Sequence, residues 1–314
     1  MTFAALAVLA RARPIKGVPD LILAVGSPYV CVSALTGLVI AATCRQVILS
    51  MVAIVVVIAS VGVQVSWYYL GRSPEVGRHT DVRVLSSNLR YGRADPHFLV
   101  KLAEAEADVI TVAELTPEEV LRLKNVGVEK MFPYSHLLPA ARAGGVGIWS
   151  RYPLTAMSEP RHQFVKMPAV RLHLHGVRFE PVLAAVHVYS PVAGEKDTVP
   201  GWDIGMAGAK AQLRTFARIA GPAAVIIGGD YNSTPDMRQF RDLLTFGYRD
   251  AVQQSGSGWT PTFPSNRWYP PLITIDHVLT RNAAATSVRT ITVPGSDHRA
   301  LLATVEVPLD PTAS

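Results

Sequence analysis

Two uncharged apolar runs near the N-terminus constrain the fold of this chain more than any other feature of its sequence. The first extends from Leu21 to Cys44 and the second from Val47 to Leu70. Each run exceeds the ~20 residues that a helix needs to cross a bilayer. A buried core helix would usually keep a polar face, and the apolar region of a signal peptide has only ~7–15 residues. We therefore predict transmembrane helices over residues 21–44 and 47–70.

The residues before these runs bear on the membrane topology. Residues 1–10 are also apolar but too few to cross the ~30 Å hydrocarbon layer, so we interpret them as a truncated third helix. Arg11, Arg13 and Lys16 form a basic cluster just before the first run. In a two-helix hairpin, the positive-inside rule would return everything after residue 70 to the cytoplasm.

The remainder of the chain has the composition of a globular domain. Gly, Pro, Ser and charged residues over 71–80 indicate a linker, and residues 81–309 are enough for one large domain. Asp95-Pro96 and Thr116-Pro117 each predict a helix start, and Thr234-Pro235 predicts a helix that ends at Leu244. Alternation of such helices with short apolar runs predicts an α+β domain.

Polar side chains stand at the ends of six predicted strands. The apolar runs cover residues 82–87, 108–113, 181–186, 225–229 and 272–275, and a sixth polar island spans 295–298. Any one such residue is more often a turn former or a helix cap. Together they offer the hard oxygen ligands that suit Mg²⁺. The residues at these ends are Asn88, Glu114, His187, Asp230 with Asn232, Asp276, and Asp297 with His298.

The order and spacing of these residues resemble the endonuclease/exonuclease/phosphatase superfamily, which includes pancreatic deoxyribonuclease, abasic-site endonucleases, inositol-polyphosphate phosphatases and neutral sphingomyelinases. The resemblance covers about residues 81–307. It implies a four-layer α/β/β/α sandwich, in which two mostly antiparallel sheets pack face to face and the site lies at one edge. The matching motifs are Ser87-Asn88-Leu89-Arg90-Tyr91-Gly92, Asp108-Val109-Ile110 before Glu114, Gly145-Val146-Gly147-Ile148, His187-Val188-Tyr189-Ser190-Pro191, Gly229-Asp230-Tyr231-Asn232, Ile275-Asp276-His277-Val278 and Ser296-Asp297-His298.

The same resemblance implies a role for each polar residue. Asn88, Glu114 and Asp297 would bind Mg²⁺, with Mn²⁺ as the alternative, although Glu114 could instead cap the helix near Thr116. Asp230 would orient or deprotonate the attacking water, and His298 would act at the phosphorus as a base or as a cationic stabiliser. The choice of general base between them stays open. The remaining roles are donation of the Asn232 amide to a phosphoryl oxygen, phosphate binding or leaving-group protonation by His187, and support of His298 by Asp276. His277 should point to the opposite face of its strand and serve the structure.

Three further features concern the substrate. Arg90 stands where nucleases of the superfamily often carry an acid, so it suits a second phosphate or an anionic head group; a solvated loop arginine is the alternative. We predict substrate loops over 192–209 and 255–271. Their aromatic side chains suit a lipid interface, stacking on nucleotide bases or ordinary packing. These aromatic residues are Trp202, Trp259, Phe263, Trp268 and Tyr269.

The charge balance favours a lipid substrate over a nucleic acid. The formal net charge is +6, of which the N-terminal part contributes four cations and one acid, leaving about +3 for the domain. A nucleic-acid groove usually has a stronger basic footprint. Cys31 and Cys44 both lie in the first apolar run, so the domain has no disulfide framework.

The apolar helices followed by Asn-Leu-Arg-Tyr-Gly resemble the membrane-anchored bacterial branch of the superfamily, which includes glycopeptide-resistance proteins that act outside the cytoplasmic membrane. This resemblance implies an integral protein of the cell membrane with an extracytoplasmic catalytic domain. We predict a Mg²⁺-dependent phosphoesterase that acts on a phosphorylated or pyrophosphorylated lipid. The alternatives are a membrane-tethered nuclease and an inactive member that binds phospholipid or a partner.

Overall fold

A computed structural model describes residues 10–158, 164–193 and 198–313. All of the predicted truncated helix except Ala10 therefore lies outside the described residues. The helices are α1 (Val18–Gly26), α2 (Val30–Thr43), α3 (Val47–Tyr68), α4 (Pro96–Glu106), α5 (Pro117–Val126), α6 (Val128–Met131), α7 (Thr198–Ala220), α8 (Arg238–Leu243) and α9 (Ala251–Ser255). The strands are β1 (His79–Asn88), β2 (Val109–Ala113), β3 (Tyr134–Leu138), β4 (Val146–Ser150), β5 (Leu154–Ala156), β6 (Val165–Lys166), β7 (Ala169–Leu172), β8 (Val182–Val188), β9 (Val225–Asp230), β10 (Arg249–Asp250), β11 (Asp276–Arg281), β12 (Ala284–Thr292) and β13 (Arg299–Pro308).

The N-terminal apolar runs form an antiparallel helical hairpin. A 3₁₀ turn at Ser27–Tyr29 separates α1 from α2, because Pro28 has no amide hydrogen to donate to a continuous helix. Val18–Thr43 and Val47–Tyr68 are each long and apolar enough to cross a membrane. Most of their large side chains are exposed, among them Val39, Ile48 and Ile58. The hairpin thus presents an apolar surface that the protein itself does not cover.

The strands form two sheets that pack face to face. The first sheet has the order β12-β13-β1-β2-β4-β3, and the second has the order β10-β11-β9-β8-β7-β5 with β6 beside β8. Alternate residues of β1 serve two cores: Val84 packs between the sheets, whereas Leu85 packs beneath α4 with Leu99. On the far side, Phe216 of α7 packs against the second sheet. The predicted four-layer sandwich is confirmed.

Two predicted elements differ from the structure near the second sheet. Leu272–Ile275 was predicted to be a strand, but this run forms a single bridge between Ile273 and Phe263. Strand β11 begins at Asp276 and is antiparallel to β9. Asp276 still reaches the expected edge of the sheet, because an antiparallel strand begins where its neighbour ends. The predicted helix from Thr234 to Leu244 is shorter in the structure, since residues 234–237 form a turn before α8.

The predicted substrate loop over 192–209 is wrong from Thr198 onward. Helix α7 begins there, and Trp202 is buried with its indole N–H donating to Ser233 Oγ at 3.1 Å. Pro200, Gly201 and Gly205 obscured the helical spacing of the buried residues on this face. Gly205 has a packing role, because a Cβ there would lie 2.5 Å from the carbonyl oxygen of Phe164.

The hairpin packs directly against the sandwich. The ring of Trp67 lies 6.4 Å from Phe240, and Trp259 contacts Tyr68 at 4.8 Å and Tyr29 at 6.5 Å. The Gln64 amide donates to Asp236 at 3.2 Å. Residues before α1 also lie on the domain: Arg11 pairs with Asp236, Arg238 donates to Ala12, and Gln239 bonds to both backbone groups of Ile15. The segment before the hairpin and the sandwich after it therefore lie at the same end of the hairpin.

Candidate active site

The ends of strands from both sheets meet at one edge of the sandwich. β1 and β2 run parallel, and Asn88 lies opposite Ala113. Glu114, the residue after Ala113, therefore lies beside the end of β1. In the second sheet, Asp230 pairs with both His187 and Asp276 across its two neighbouring strands. The strand register therefore brings five residues that the sequence predicts for the site to one edge: Asn88, Glu114, His187, Asp230 and Asp276.

Gly228 allows the two sheets to approach each other closely at this edge, and Gly229 allows β9 to lie close to β8 within the second sheet. A Cβ on Gly228 would lie 2.5 Å from Thr111 Oγ1 of the first sheet, and a Cβ on Gly229 would lie 2.0 Å from the carbonyl oxygen of Val186. Neither position has room for a side chain. The close approach brings Asp230 of the second sheet within hydrogen-bonding distance of Asn88 of the first.

Asn88 joins two carboxylates. Its Nδ2 donates to Glu114 Oε1 at 3.1 Å and to Asp230 Oδ2 at 2.9 Å, while its Oδ1 accepts the backbone N–H of Arg90 at 2.8 Å. The second oxygen of Glu114 accepts the N–H of Tyr91 at 2.9 Å. Thr116, not Glu114, caps α5, because its hydroxyl accepts the N–H of Glu119 at 3.2 Å. The carboxylate of Glu114 therefore belongs to the site.

His187 completes a cluster whose donor atoms fit a divalent cation. Its Nδ1 donates to the carbonyl oxygen of Ala143 at 2.8 Å, which turns Nε2 toward Glu114 Oε1 and Asp230 Oδ2, each 3.9 Å away. One ligand atom from each of the three residues lies within 4.8 Å of the others. Two carboxylates and an imidazole nitrogen in this arrangement suit a divalent metal ion.

His298 and Asp276 form the contact that the sequence predicts. His298 Nδ1 donates to Asp276 Oδ2 at 2.8 Å, and Nε2 lies 3.9 Å from Asp230 Oδ2. The backbone N–H of His298 donates to Ser296 Oγ at 3.0 Å, and that hydroxyl donates to the carbonyl oxygen of Asn88 at 2.8 Å. The imidazole is thus fixed in position by groups from both sheets.

The buried charges of this cluster shift each other's pKa values. Burial, and then the charge of Asp276, raise the pKa of Asp230 to about 6, although His298 and His187 oppose the change. Burial acts to lower the pKa of His298, but the charges of Asp276 and Asp230 outweigh it and raise that pKa to about 10. At neutral pH the site therefore pairs an ionised Asp230 with a cationic His298.

Glu114, His187, Asp230, Asn232 and His298 line a cleft of about 850 Å³. Asp297 lies on its wall, where Oδ2 is 3.6 Å from Arg90 Nε. Three further lining residues lie in predicted segments: Tyr91 and Tyr189 in the matching motifs and Phe263 in the substrate loop over 255–271. Sequence reasoning missed Arg93 and Arg142, because their neighbours in the cleft come from distant parts of the chain.

Backbone strain is concentrated around this cleft. Eight described residues other than glycine have a positive φ, and four of them line the cleft: Tyr91, Glu114, Arg142 and Asn232. Such conformations cost of order 1–3 kcal/mol each and are typical of functional sites. The Asn232 N–H donates to Asp230 Oδ1 at 2.7 Å, and its Nδ2 donates to the carbonyl oxygen of Val188 at 2.8 Å. The strained conformation of Asn232 therefore holds Asp230.

His277 has the structural surroundings that the sequence predicts. It is buried beneath the sheet, with Nδ1 2.7 Å from Asp250 Oδ2 and Nε2 2.9 Å from the carbonyl oxygen of Ser233. Its strand neighbour Asp276 points the other way, toward His298, because successive side chains of a strand point to opposite faces. His277 thus supports the turn that follows Asp230.

Comparison with known proteins identifies the family. The Endonuclease/Exonuclease/phosphatase family matches residues 72–298. The chain belongs to this family. Its members are metal-dependent hydrolases that act on phosphoester bonds, and the chain is a hydrolase of this class. The match begins at Arg72, just after α3, so the hairpin lies outside it.

Solved structures of the family share the fold of this chain. Truncated TDP2 from Caenorhabditis elegans aligns with a TM-score of 0.55 and 13% identity over 72% of this chain and 97% of its own. A family member from Beutenbergia cavernae DSM 12333 aligns with a TM-score of 0.54 and 17% identity over 74% of this chain and 72% of its own. TDP2 from D. rerio, complexed with single strand DNA product, aligns with a TM-score of 0.54 and 18% identity over 72% of this chain and 99% of its own. No curated protein matches the chain. At these identities the likeness establishes the fold alone.

Proposed function

We propose that this protein is a membrane-anchored, Mg²⁺-dependent phosphoesterase that hydrolyses a phosphate or diphosphate ester of a lipid at the bilayer surface. The observation that carries the proposal is a shared loop over residues 263–272, which we call the cleft–hairpin loop. It lines the cleft at one end and contacts the apolar hairpin at the other. A substrate held in the bilayer by its apolar chain would meet the cleft beside this loop.

The contacts of the cleft–hairpin loop are specific at both ends. The ring of Phe263 lies 4.9 Å from the His298 imidazole, and the N–H of Ser265 donates to the carbonyl oxygen of Asp297 at 2.7 Å. At the other end, the hydroxyl of Tyr29 donates to the carbonyl oxygen of Leu272. Between them, the side chain of Trp268 is 95% exposed. An exposed tryptophan beside apolar helices is typical of a lipid interface.

The residues of the cleft supply the parts of a phosphoester hydrolysis. Glu114, with Asn88 and Asp297, would hold Mg²⁺, which when bound neutralises charge on phosphoryl oxygens and lowers the pKa of water. Ionised Asp230 would accept a proton from the attacking water, and cationic His298 would stabilise the charge that develops on the phosphoryl group. Each of these roles remains a proposal.

Three other predicted residues have contacts that limit their roles. Asn88 Oδ1 accepts the N–H of Arg90, so Asn88 would have to exchange that contact to coordinate a metal through oxygen. The Asn232 Nδ2 lies 3.3 Å from Asp230 Oδ2, and a phosphoryl oxygen would replace this longer contact. His187 Nε2 faces the cleft and would bind phosphate or protonate the leaving group.

The direct test is phosphate release by the full chain in detergent micelles with Mg²⁺. We expect turnover of a polyprenyl diphosphate, and no cleavage of single- or double-stranded DNA under the same conditions. Excess chelator and an Asp230→Asn variant serve as blanks. DNA cleavage without lipid turnover would overturn the lipid assignment in favour of a tethered nuclease. Absence of all turnover would favour the inactive binding member.

For the membrane side, we propose that the catalytic domain is extracytoplasmic, as the resemblance to the membrane-anchored branch implies. The basic cluster of Arg11, Arg13 and Lys16 argues less strongly for the cytoplasm than its three charges suggest, because Arg11 is half-buried and paired with Asp236. In intact cells, a Lys101→Cys variant that lacks Cys31 and Cys44 should react with a membrane-impermeant maleimide. Labelling only after cell lysis would place the domain in the cytoplasm.

A further inference from the structure

We propose that Arg93 and Arg142 form a second anion-binding subsite at the mouth of the cleft, and that it takes the distal phosphate of a diphosphate ester. This inference rests on the proposed function and narrows its substrate class from phosphate esters in general to diphosphates. The sequence points instead to Arg90 for such a role.

Arg90 is already engaged by the protein. Its Nε lies 3.6 Å from Asp297 Oδ2, and its Nη1 donates to the carbonyl oxygen of Gly295 at 3.3 Å. A guanidinium held by a carboxylate has fewer donors left for a phosphate. Arg90 therefore serves better to position Asp297 than to bind substrate.

Arg93 and Arg142 are placed differently. Both line the cleft together with Glu114 and Asp297, and both interact electrostatically with the hydroxyl of Tyr91. Across residues 10–158, 164–193 and 198–313, neither guanidinium has an ion pair or a side-chain hydrogen bond. Both side chains are exposed, although three carboxylates, those of Glu114, Asp230 and Asp297, line the same cleft. The guanidinium groups of Arg93 and Arg142 are therefore available to a ligand.

Hydrogen bonds and close packing fix the backbone that carries each arginine. Arg142 has a φ of +57°, and the segment around it is bonded at both sides: Ala143 accepts from His187, and Gly145 accepts the N–H of Leu115 at 3.0 Å. Arg93 donates its N–H to Leu89 at 2.8 Å. Its carbonyl oxygen packs so tightly on Gly295 that a Cβ there would lie 2.1 Å away.

The metal-binding residues and the arginine pair fit the two phosphates of a diphosphate. The phosphoryl group attached to the lipid would lie among Glu114, Asp230 and His298, where a metal ion offsets the carboxylate charge. Attack of water there would break the bridging P–O bond and release the distal phosphate as inorganic phosphate, leaving the lipid monophosphate. The distal phosphate then extends toward the mouth, where it needs cations of its own. Planar guanidinium forks bind phosphate oxygens bidentately, so the pair favours a diphosphate over a monophosphate of the same lipid.

The test compares farnesyl diphosphate with farnesyl monophosphate, using the full chain in detergent at constant free Mg²⁺. In the Arg93→Gln/Arg142→Gln double variant, we expect the ratio of kcat/KM for diphosphate to that for monophosphate to fall roughly 10-fold or more, mainly through KM. Arg218→Gln, an exposed arginine of α7, is the matched control and should leave the ratio unchanged. An unchanged ratio in the double variant would overturn the subsite.

A binding measurement separates this inference from the proposed function. Calorimetric titration with inorganic pyrophosphate and with inorganic phosphate requires no turnover. The wild-type chain should bind pyrophosphate more tightly than phosphate, and the double variant should lose that preference. If neither lipid is hydrolysed but the preference is lost as expected, the lipid assignment fails and the subsite stands. Equal weakening for both anions would reject the subsite even in an active enzyme.

Discussion

Replacement of Glu114 by alanine should lower kcat/KM for phosphoester hydrolysis by at least ~10³-fold, because it removes the carboxylate around which the cation site is built. Glu114 is held by Asn88 and by the N–H of Tyr91, and its ligand atom lies within 4.8 Å of those of His187 and Asp230. The loss should be accompanied by loss of Mn²⁺ binding in a calorimetric titration. Neither added Mg²⁺ nor Mn²⁺ should restore the rate.

The matched control for this variant is Glu118→Ala. Glu118 is an exposed acid in the first turn of α5, four residues from Glu114. Its removal changes the net charge equally but leaves the cluster intact, so the rate and the metal affinity should stay near the wild-type values. A Glu114→Ala variant that kept chelator-sensitive activity would show that the metal is held elsewhere.

Replacement of His298 by alanine should lower kcat by roughly 10³-fold, within the range for loss of a group that stabilises transition-state charge. The pH profile distinguishes its role. Asp276 and Asp230 raise the pKa of His298 to about 10, so the cation persists through neutral pH and is lost as the pH rises through about 10. The wild-type rate should therefore fall on the alkaline side near that pH.

Asp276→Asn tests the origin of this alkaline limb. The variant keeps a hydrogen-bond acceptor for His298 but removes a negative charge that favours the imidazolium. The pKa of His298 should decrease, and the alkaline limb should move to lower pH. The rate at neutral pH should fall by ~10²-fold. An alkaline limb that does not move would show that His298 acts without its charge, or that another group sets the profile.

Local sequence patterns predicted the strand ends of the site because each depends on a few neighbouring residues. The apolar run before Asn88 predicts a buried strand, and the Gly-Gly pair before Asp230 predicts close packing of the backbone. The structure has both features. The pairing of the two sheets came only from the family resemblance, since no single strand encodes its partner. Likewise, Arg142 and Tyr91 join the cleft through backbone conformations that tertiary contacts enforce.

The incorrect predictions have a common physical cause. Residues 198–209 were predicted to be part of a substrate loop, yet they belong to α7, and Gly205 is required where this helix passes close to Phe164. The apolar run over 272–275 was predicted to be a strand, yet Leu272 ends the cleft–hairpin loop and Ile273 forms a single bridge to Phe263. Gly205 is of a type that usually ends a helix, and the apolar run is of a type that usually forms a strand. In both places a tertiary contact overrides the local preference.

The packing of the hairpin against the sandwich has a consequence for how an anchored enzyme of this shape would meet its substrate. Helix α3 has 22 residues, which is about 33 Å of helix and enough for the ~30 Å hydrocarbon layer. Its last residues Trp67 and Tyr68, and Leu21 and Ala24 of α1, are buried in the core that the sandwich shares. The domain would therefore be drawn down onto the head groups with no free tether. Its rate would then depend on the surface density of the lipid within the bilayer plane, and not on the amount of lipid per volume of solution.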